Sequence, residues 1–152
     1  MILAPVAQAK SISSVMANSP DSTTATVHVA VGIIENEAGD IFISRRHAHL
    51  HQGGKWEFPG GKVEANETVM AALQRELREE CNIEVEAAAP LTVVSHAYPD
   101  KQVLLDVWRV TAYRGEVRQR EGQEWLWVPL HELEAYPFPA ANEPILSALH
   151  HR

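Results

Sequence analysis

Cysteine is nearly absent. Cys81 is the single one in 152 residues, so the sequence permits no disulfide within the chain and suits a reducing compartment, with the cytoplasm as the expected location. No apolar run approaches the roughly 20 residues that a membrane-spanning helix needs. Positive charge is also scarce: 13 Lys and Arg face 20 Asp and Glu, for a formal net charge of −7. That balance argues against a general nucleic-acid surface and against an anionic membrane. It would repel a free nucleotide too, so a polyanionic substrate would need a metal ion and a few well-placed Arg and Lys. Two familiar phosphate motifs are missing. Gly60-Gly61-Lys62 lacks the spacing and the following Ser or Thr of a P-loop, Gly53-Gly54-Lys55 is no better, and no GxGxxG opens a helix after a strand. ATP-driven motors and Rossmann-type dinucleotide enzymes are thereby excluded.

What remains is ordinary for a globular protein, with 45% hydrophobic and 22% charged residues, and the length suits one domain with a full core. Residues 1–24 are rich in Ala, Ser, Thr, Pro and Val. They carry neither the basic start and apolar centre of a secretory signal nor the arginines of a transit peptide. They are expected to form a disordered tail, with Met16 as an alternative start, ahead of a single domain over residues 25–152. Thr26 to Ile34 reads as a buried strand, Asn36 to Asp40 as a turn, and Ile41 to Ser44 as a second strand that delivers Arg45 and Arg46. His47, His49 and His51 alternate in the next segment. A metal-binding tract has this look, but the preferred reading is a solvated loop. Trp56 to Phe58 reads as a short strand, Glu84 to Ala89 as a weak connection, and Leu91 to Tyr98 and Val103 to Tyr113 as strands. Gly115 to Gln123 is a charged loop. Trp125 to Val128 is a last strand, Pro129 to Ala135 a short helix, and Asn142 to His150 a final helix with Pro144 in its first turn. Strands on both sides of a central helix, with a closing helix, predict an α/β (α+β) fold in which a mixed sheet lies between helical layers.

The chain is organised around GGKVEANETVMAALQRELREECNI, from Gly60 to Ile83. At about 100° per residue, Met70, Leu73, Leu77 and Cys81 fall in one apolar stripe. Glu76, Glu79 and Glu80 share the adjacent sector. Like charges at these spacings each cost a helix roughly 0.2–0.5 kcal/mol, so a positive partner is expected beside the buried face. A hard divalent cation held by oxygen ligands is the natural candidate. The Gly60-Gly61 backbone can come close to an ion or a phosphate because no side chain blocks it. One of the glutamates, or another nearby, would orient or deprotonate an attacking water. Arg75 reads as a partner that orients a carboxylate, and Glu67 as either a ligand or a residue opposing the helix dipole. Lys62, Arg45 and Arg46 are candidates for phosphate or nucleotide contacts.

This stretch resembles the signature of the Nudix hydrolase family: a glycine, five residues, Glu, seven residues, Arg-Glu, an aliphatic residue, any residue, Glu-Glu, any residue, Gly and an aliphatic residue. The matching positions are Gly61, Glu67, Arg75-Glu76, Leu77, Glu79-Glu80, Asn82 and Ile83. Only Asn82 departs, and Asn tolerates the left-handed conformation in which helices often end. Similarity continues through VGIIENEAGDIFISRR, WEFPGGKVE, REGQEW and FPAANEPIL, so that it covers roughly His28 to Leu149. There it favours the branch of the family that cleaves 8-oxo-dGTP to 8-oxo-dGMP and pyrophosphate. The resemblance implies a Nudix-type α/β/α sandwich and a Mg2+-dependent enzyme, with Mn2+ as a substitute, acting as a monomer on a nucleoside triphosphate by attack at the β-phosphorus. It implies that Glu76, Glu79, Glu80, Glu121 and the carbonyl of Gly60 bind metal, that Glu121 is a candidate base, and that Arg75 and Glu67 play supporting roles. It places Arg46, Phe58 and Asn142 at the base, and puts Lys101 where the family has an arginine. The amide of Asn142 can read a purine edge bidentately, although Asn is also a favoured helix N-cap. Another nucleotide such as CTP, or a catalytically silent nucleotide-binding module, are the alternative functions.

Overall fold

The strand Thr26–Ile34 (β1) is the spine of the fold, because its two faces serve two different cores. Ala30 and Ile34 join one apolar cluster, and Val31 and Ile33 join the other. This is the period-two alternation of a strand covered on both sides. The computed structural model describes residues 25–151; the expected tail over residues 1–24 lies outside them. After β1 come Asp40–Arg45 (β2), Trp56–Glu57 (β3), Gly60–Lys62 (β4), the helix Val69–Cys81 (α1), Glu84–Tyr98 (β5), Lys101–Arg114 (β6) and Trp125–Pro129 (β7). Two 3₁₀ turns, Leu130–Ala135 and Ala140–Asn142, lead to the closing helix Glu143–His150 (α2). The strands form a mixed sheet in the order β4-β1-β6-β5 and a smaller antiparallel one in the order β3-β2-β7. Within the mixed sheet only β1 and β6 run parallel. α1 contributes Leu73 and Leu77 to the cluster on one side, and α2 contributes Ile145 and Leu149 to the other. The expected mixed sheet between helices is present, with the second sheet added beside it.

α1 begins and ends where its residues dictate. The Thr68 hydroxyl accepts the N–H of Ala71 at 3.0 Å, a cap typically worth about 1 kcal/mol. Leu73, Leu77 and Cys81 are fully buried, each leucine contributing roughly 1.5–3 kcal/mol by leaving water. Gly32 on β1 lets them in: a Cβ there would stand 2.9 Å from Leu77 Cδ2 and 3.1 Å from Leu73 Cδ1. The helix closes at Asn82 in the left-handed conformation, φ 66° and ψ 28°, as the departure from glycine allowed. Its side chain also donates to the carbonyl of Glu116 at 3.0 Å.

Two expectations need correction. Glu84 to Ala89 is no loose connection, because β5 runs unbroken for 15 residues from Glu84 to Tyr98. Its register against β6 shifts between Val85 and Ala87, Ala87 and Ala88, and Pro90 and Thr92. These bulges absorb the alanines and the proline that made the segment read as a break. Gly60–Lys62, to which the sequence assigned no element, is a strand that pairs with Val29 to Val31 of β1. The short helix after β7 is a 3₁₀ turn.

Candidate functional site

Among the described residues, Glu80 is the charged one sunk into the fold, with only 5% of its surface exposed. It reaches from α1 to β4, where its Oε1 accepts the N–H of Gly60 at 3.1 Å. Burial pushes its pKa up to about 8 against the pull of that N–H, and the negative charges of Glu57, Glu121 and Glu76 push the same way. One turn earlier, Glu76 is also raised by burial although Arg75 opposes the shift. Its carboxylate lies on the bare backbone of Gly61, in the space that a Cβ there would fill. Any side chain at position 61 would therefore evict it.

Arg75 fixes the near end of this acidic face. Its guanidinium grips Glu67 with two bonds, Nε to Oε2 at 2.8 Å and Nη2 to Oε1 at 3.0 Å. It also donates to Glu76 Oε2 at 2.8 Å and to the Lys62 carbonyl at 3.0 Å. A planar fork suits this set of acceptors as a lysine would not. The same bonds hold the Glu67 carboxyl below the usual carboxylate range. Glu67 is thus engaged in a bidentate pair with Arg75. Glu79 lies mostly in solvent, 3.9 Å from Arg75. Glu121 sits on the exposed loop between β6 and β7, near enough for its charge to act on Glu76 and Glu80.

Among the described residues, no three Asp, Glu, His or Cys side chains converge into a metal-holding group. Glu76 is taken up by Arg75 and Glu80 by the Gly60 N–H. The donor chemistry nevertheless fits a hard divalent cation. Acidic oxygens are gathered along one helix face, their mutual repulsion is large enough to help raise two carboxyl pKa values, and they lie against a backbone free of side chains.

A cavity of about 280 Å³ opens on the other side of β4, and Gly60 and Gly61 form part of its wall. Arg46, Phe58, Lys62, Lys101 and Asn142 all line it, so the five residues expected around the substrate are brought together. Val31 and Leu105 line it with Phe58, whose ring stacks on Phe138 with centroids 5.1 Å apart. Arg46 is braced by Glu57 Oε1 at 2.8 Å and by the His51 carbonyl at 2.8 Å. Asn142 occupies the position before α2, yet its side chain makes no capping hydrogen bond. The amide is thus not spent on the helix end.

The sequence did not single out every wall residue. His51, Gln52, Glu57 and Tyr98 also line the cavity. His47 and His49 behave as the solvated-loop reading requires, exposed and stacked on each other. His51 differs, because its ring meets Tyr98 edge-on at 4.8 Å. The Tyr98 hydroxyl in turn accepts the N–H of Ala141 at 3.3 Å, next to Asn142. Local spacing holds no signal for a contact between residues so far apart in sequence. The alternating histidines were the nearest hint, and the reading preferred for them was a solvated loop.

Comparison with known proteins gives this arrangement a context. The profile of the NUDIX domain matches residues 30–148. The 8-oxo-dGTP diphosphatase of Escherichia coli K12 is 42% identical over 123 residues, which cover 81% of this chain and 95% of that protein. A CTP pyrophosphohydrolase of the same organism is 35% identical and covers 80% of this chain and 90% of its own length. A solved MutT structure, described for Aliivibrio salmonicida and Vibrio cholerae, superposes with a TM-score of 0.72 at 38% identity. It covers 84% of this chain and 99% of that one.

Proposed function

The chain belongs to the Nudix hydrolase family, and on that premise we propose that it is a magnesium-dependent pyrophosphohydrolase that converts 8-oxo-dGTP to 8-oxo-dGMP and pyrophosphate. Members of the family are generally dependent on a divalent metal and act on nucleotides. The observation that carries the finer reading is the shared wall: Gly60 and Gly61 line the cavity while Glu80 and Glu76 lie against their other side. A base held in the cavity would therefore set its phosphates beside the acidic helix face. Glu76, Glu79, Glu80, Glu121 and the Gly60 carbonyl would hold the metal, Mn2+ being able to replace Mg2+. When bound, it would neutralise the phosphate oxygens and acidify a water.

The protein's own groups account for the rest. Phe58 offers an apolar face to the base, and the Asn142 amide offers a donor and an acceptor to a purine edge. Arg46, Lys62 and Lys101 supply the positive charge that a chain of net charge −7 otherwise lacks. Arg75 keeps the Glu76 carboxylate in place. A carboxylate, with Glu121 as the candidate, takes the proton from water as its oxygen bonds to the β-phosphorus. The bridging oxygen then leaves with the α-phosphate of the monophosphate. Attack there places the water oxygen in pyrophosphate, so hydrolysis in 18O-labelled water is expected to label pyrophosphate and not the nucleotide. The net negative charge favours a free nucleotide over a nucleic-acid polymer, and we read the enzyme as a cytoplasmic monomer.

A nucleotide panel with magnesium, with products identified, tests the assignment. Higher kcat/KM for CTP than for 8-oxo-dGTP would shift the reading to a pyrimidine triphosphate. Such an outcome has a specific motive in the Lys101 side chain, which cannot stack or fork as an arginine does.

A further inference from the structure

The loop carrying Glu121 is held by two glutamines that belong to none of the groups considered above. Gln119 Oε1 accepts the N–H of Glu121 at 2.6 Å and that of Gln123 at 3.2 Å, and its Nε2 donates to Gln123 Oε1 at 2.9 Å. Gln119 thereby closes the turn whose middle residues are Arg120, Glu121 and Gly122, the last with φ +78°. Gln123 Nε2 carries the connection onward to the Arg45 carbonyl at 2.8 Å and to Glu57 Oε2 at 3.1 Å. The other oxygen of Glu57 braces Arg46 in the cavity wall. On the opposite side, the N–H groups of Arg118 and Arg120 donate to the carbonyls of Cys81 and Glu80 at 3.1 and 2.8 Å. The turn is thus tied to the end of the acidic helix and to the strands below the cavity. Gln119 stands where these ties meet, half-buried beside an exposed Glu121.

We propose that Gln119 is a positioning residue that aims Glu121 at the carboxylates of α1, by accepting the Glu121 N–H and clasping Gln123. The inference rests on the reading that Glu121 serves the reaction. Its side chain is on a surface loop, so a turn left open would let Glu121 swing in water without disturbing the core. Misplacing a reacting group by about 1 Å can cost on the order of a hundredfold in rate. A loss of aim would therefore appear in kcat, while the cavity that binds the base stays intact.

The test is a double-mutant cycle in the full chain with magnesium, using Gln119→Met, which keeps the length of the side chain and removes its hydrogen bonds, and Glu121→Gln. Gln119→Met is expected to lower kcat by about tenfold to a hundredfold, with KM changed by no more than about twofold and an unchanged melting temperature. Against a Glu121→Gln background the same substitution is expected to cost almost nothing further, since nothing remains to be aimed. If Glu121→Gln is impaired but Gln119→Met keeps its kcat, the positioning role is overturned and the reading of Glu121 survives. Additive losses in the double variant overturn it too, because Gln119 would then act through another group. If Glu121→Gln keeps full kcat, the reading of Glu121 fails and the inference falls with it.

Discussion

Glu80 and Gly60 lie 20 positions apart in the chain, and a single hydrogen bond of 3.1 Å from the glycine N–H to the buried carboxylate ties the acidic helix to the strand that walls the cavity. Burial raises the pKa of Glu80 to about 8, so Glu80 is expected to bind a proton at neutral pH in the metal-free protein. A divalent cation must displace that proton, since only the carboxylate is a good ligand. Calorimetric titration of the metal-free enzyme with Mg2+ at pH 7, in buffers of different ionisation enthalpy, is expected to show release of roughly one proton. The sign for stability follows from the same shift. A carboxyl whose folded pKa lies above its unfolded value stabilises the fold when protonated, and this contribution is lost as pH rises through the folded pKa. In chelator, the melting temperature is therefore expected to fall between about pH 5 and pH 9, and Glu80→Gln to flatten that slope. A slope unchanged in the variant would refute the assignment.

Glu79→Gln and Glu80→Gln address the chemistry itself. Each is expected to lower kcat by a hundredfold or more, roughly the scale of removing a group that acts in the transition state, while circular dichroism stays that of the parent. Magnesium should raise the melting temperature of the parent by linkage and do so less in the variants. Full hydrolysis in excess chelator would defeat the metal reading outright.

Gly61→Ala separates geometry from stability. Its new methyl would displace the Glu76 carboxylate, which is the far end of a flexible side chain, so unfolding free energy is expected to change by less than about 1 kcal/mol. Turnover should drop by at least about tenfold because a carboxylate has moved. Gly32→Ala should behave in the opposite way. It presses on Leu73 and Leu77 inside a packed core and is expected to cost about 1–3 kcal/mol, with a smaller loss of turnover. Denaturant titrations beside steady-state kinetics would distinguish the two patterns, and equal kinetic losses would count against the role of Gly61.

Asn142→Ala tests recognition. Loss of a bidentate contact to a base is worth about 1–3 kcal/mol, or roughly tenfold to a hundredfold in kcat/KM for 8-oxo-dGTP. Discrimination against dGTP and CTP should shrink at the same time. Because Asn142 caps nothing with its side chain, the melting temperature should hardly move. A marked fall in melting temperature with unchanged selectivity would return Asn142 to a structural role.

Much of the site could be read from sequence because it is local. The apolar stripe of α1, the acidic sector beside it and the left-handed Asn82 all lie within one helix, where spacing determines which side chains share a face. The pairing of Arg75 with a carboxylate was also legible, although its stronger grip is on Glu67, eight residues earlier. β5 was misread at its start because Ala87 to Ala89 and Pro90 carry neither β-branching nor alternation. What makes them strand is the length of β6 alongside, a tertiary fact that no window of β5 contains. Tyr98 was passed over, and His51 was weighed only as part of a histidine tract, because their partners come from distant segments. The partners of Gln119 are local, but the turn it closes matters through its ties to Cys81 and Glu80, far away in sequence.

Gly32 has a consequence that reaches beyond packing. By letting two leucines press against β1, it seats the acidic helix as a fixed bench with little room to slide or roll during turnover. The turn that carries Glu121 is tied to the same bench, through the N–H groups of Arg118 and Arg120 on the carbonyls of Cys81 and Glu80. The acids of the helix and the loop beside them therefore take their positions from one packed strand, and a disturbance at Gly32 is expected to reach both together.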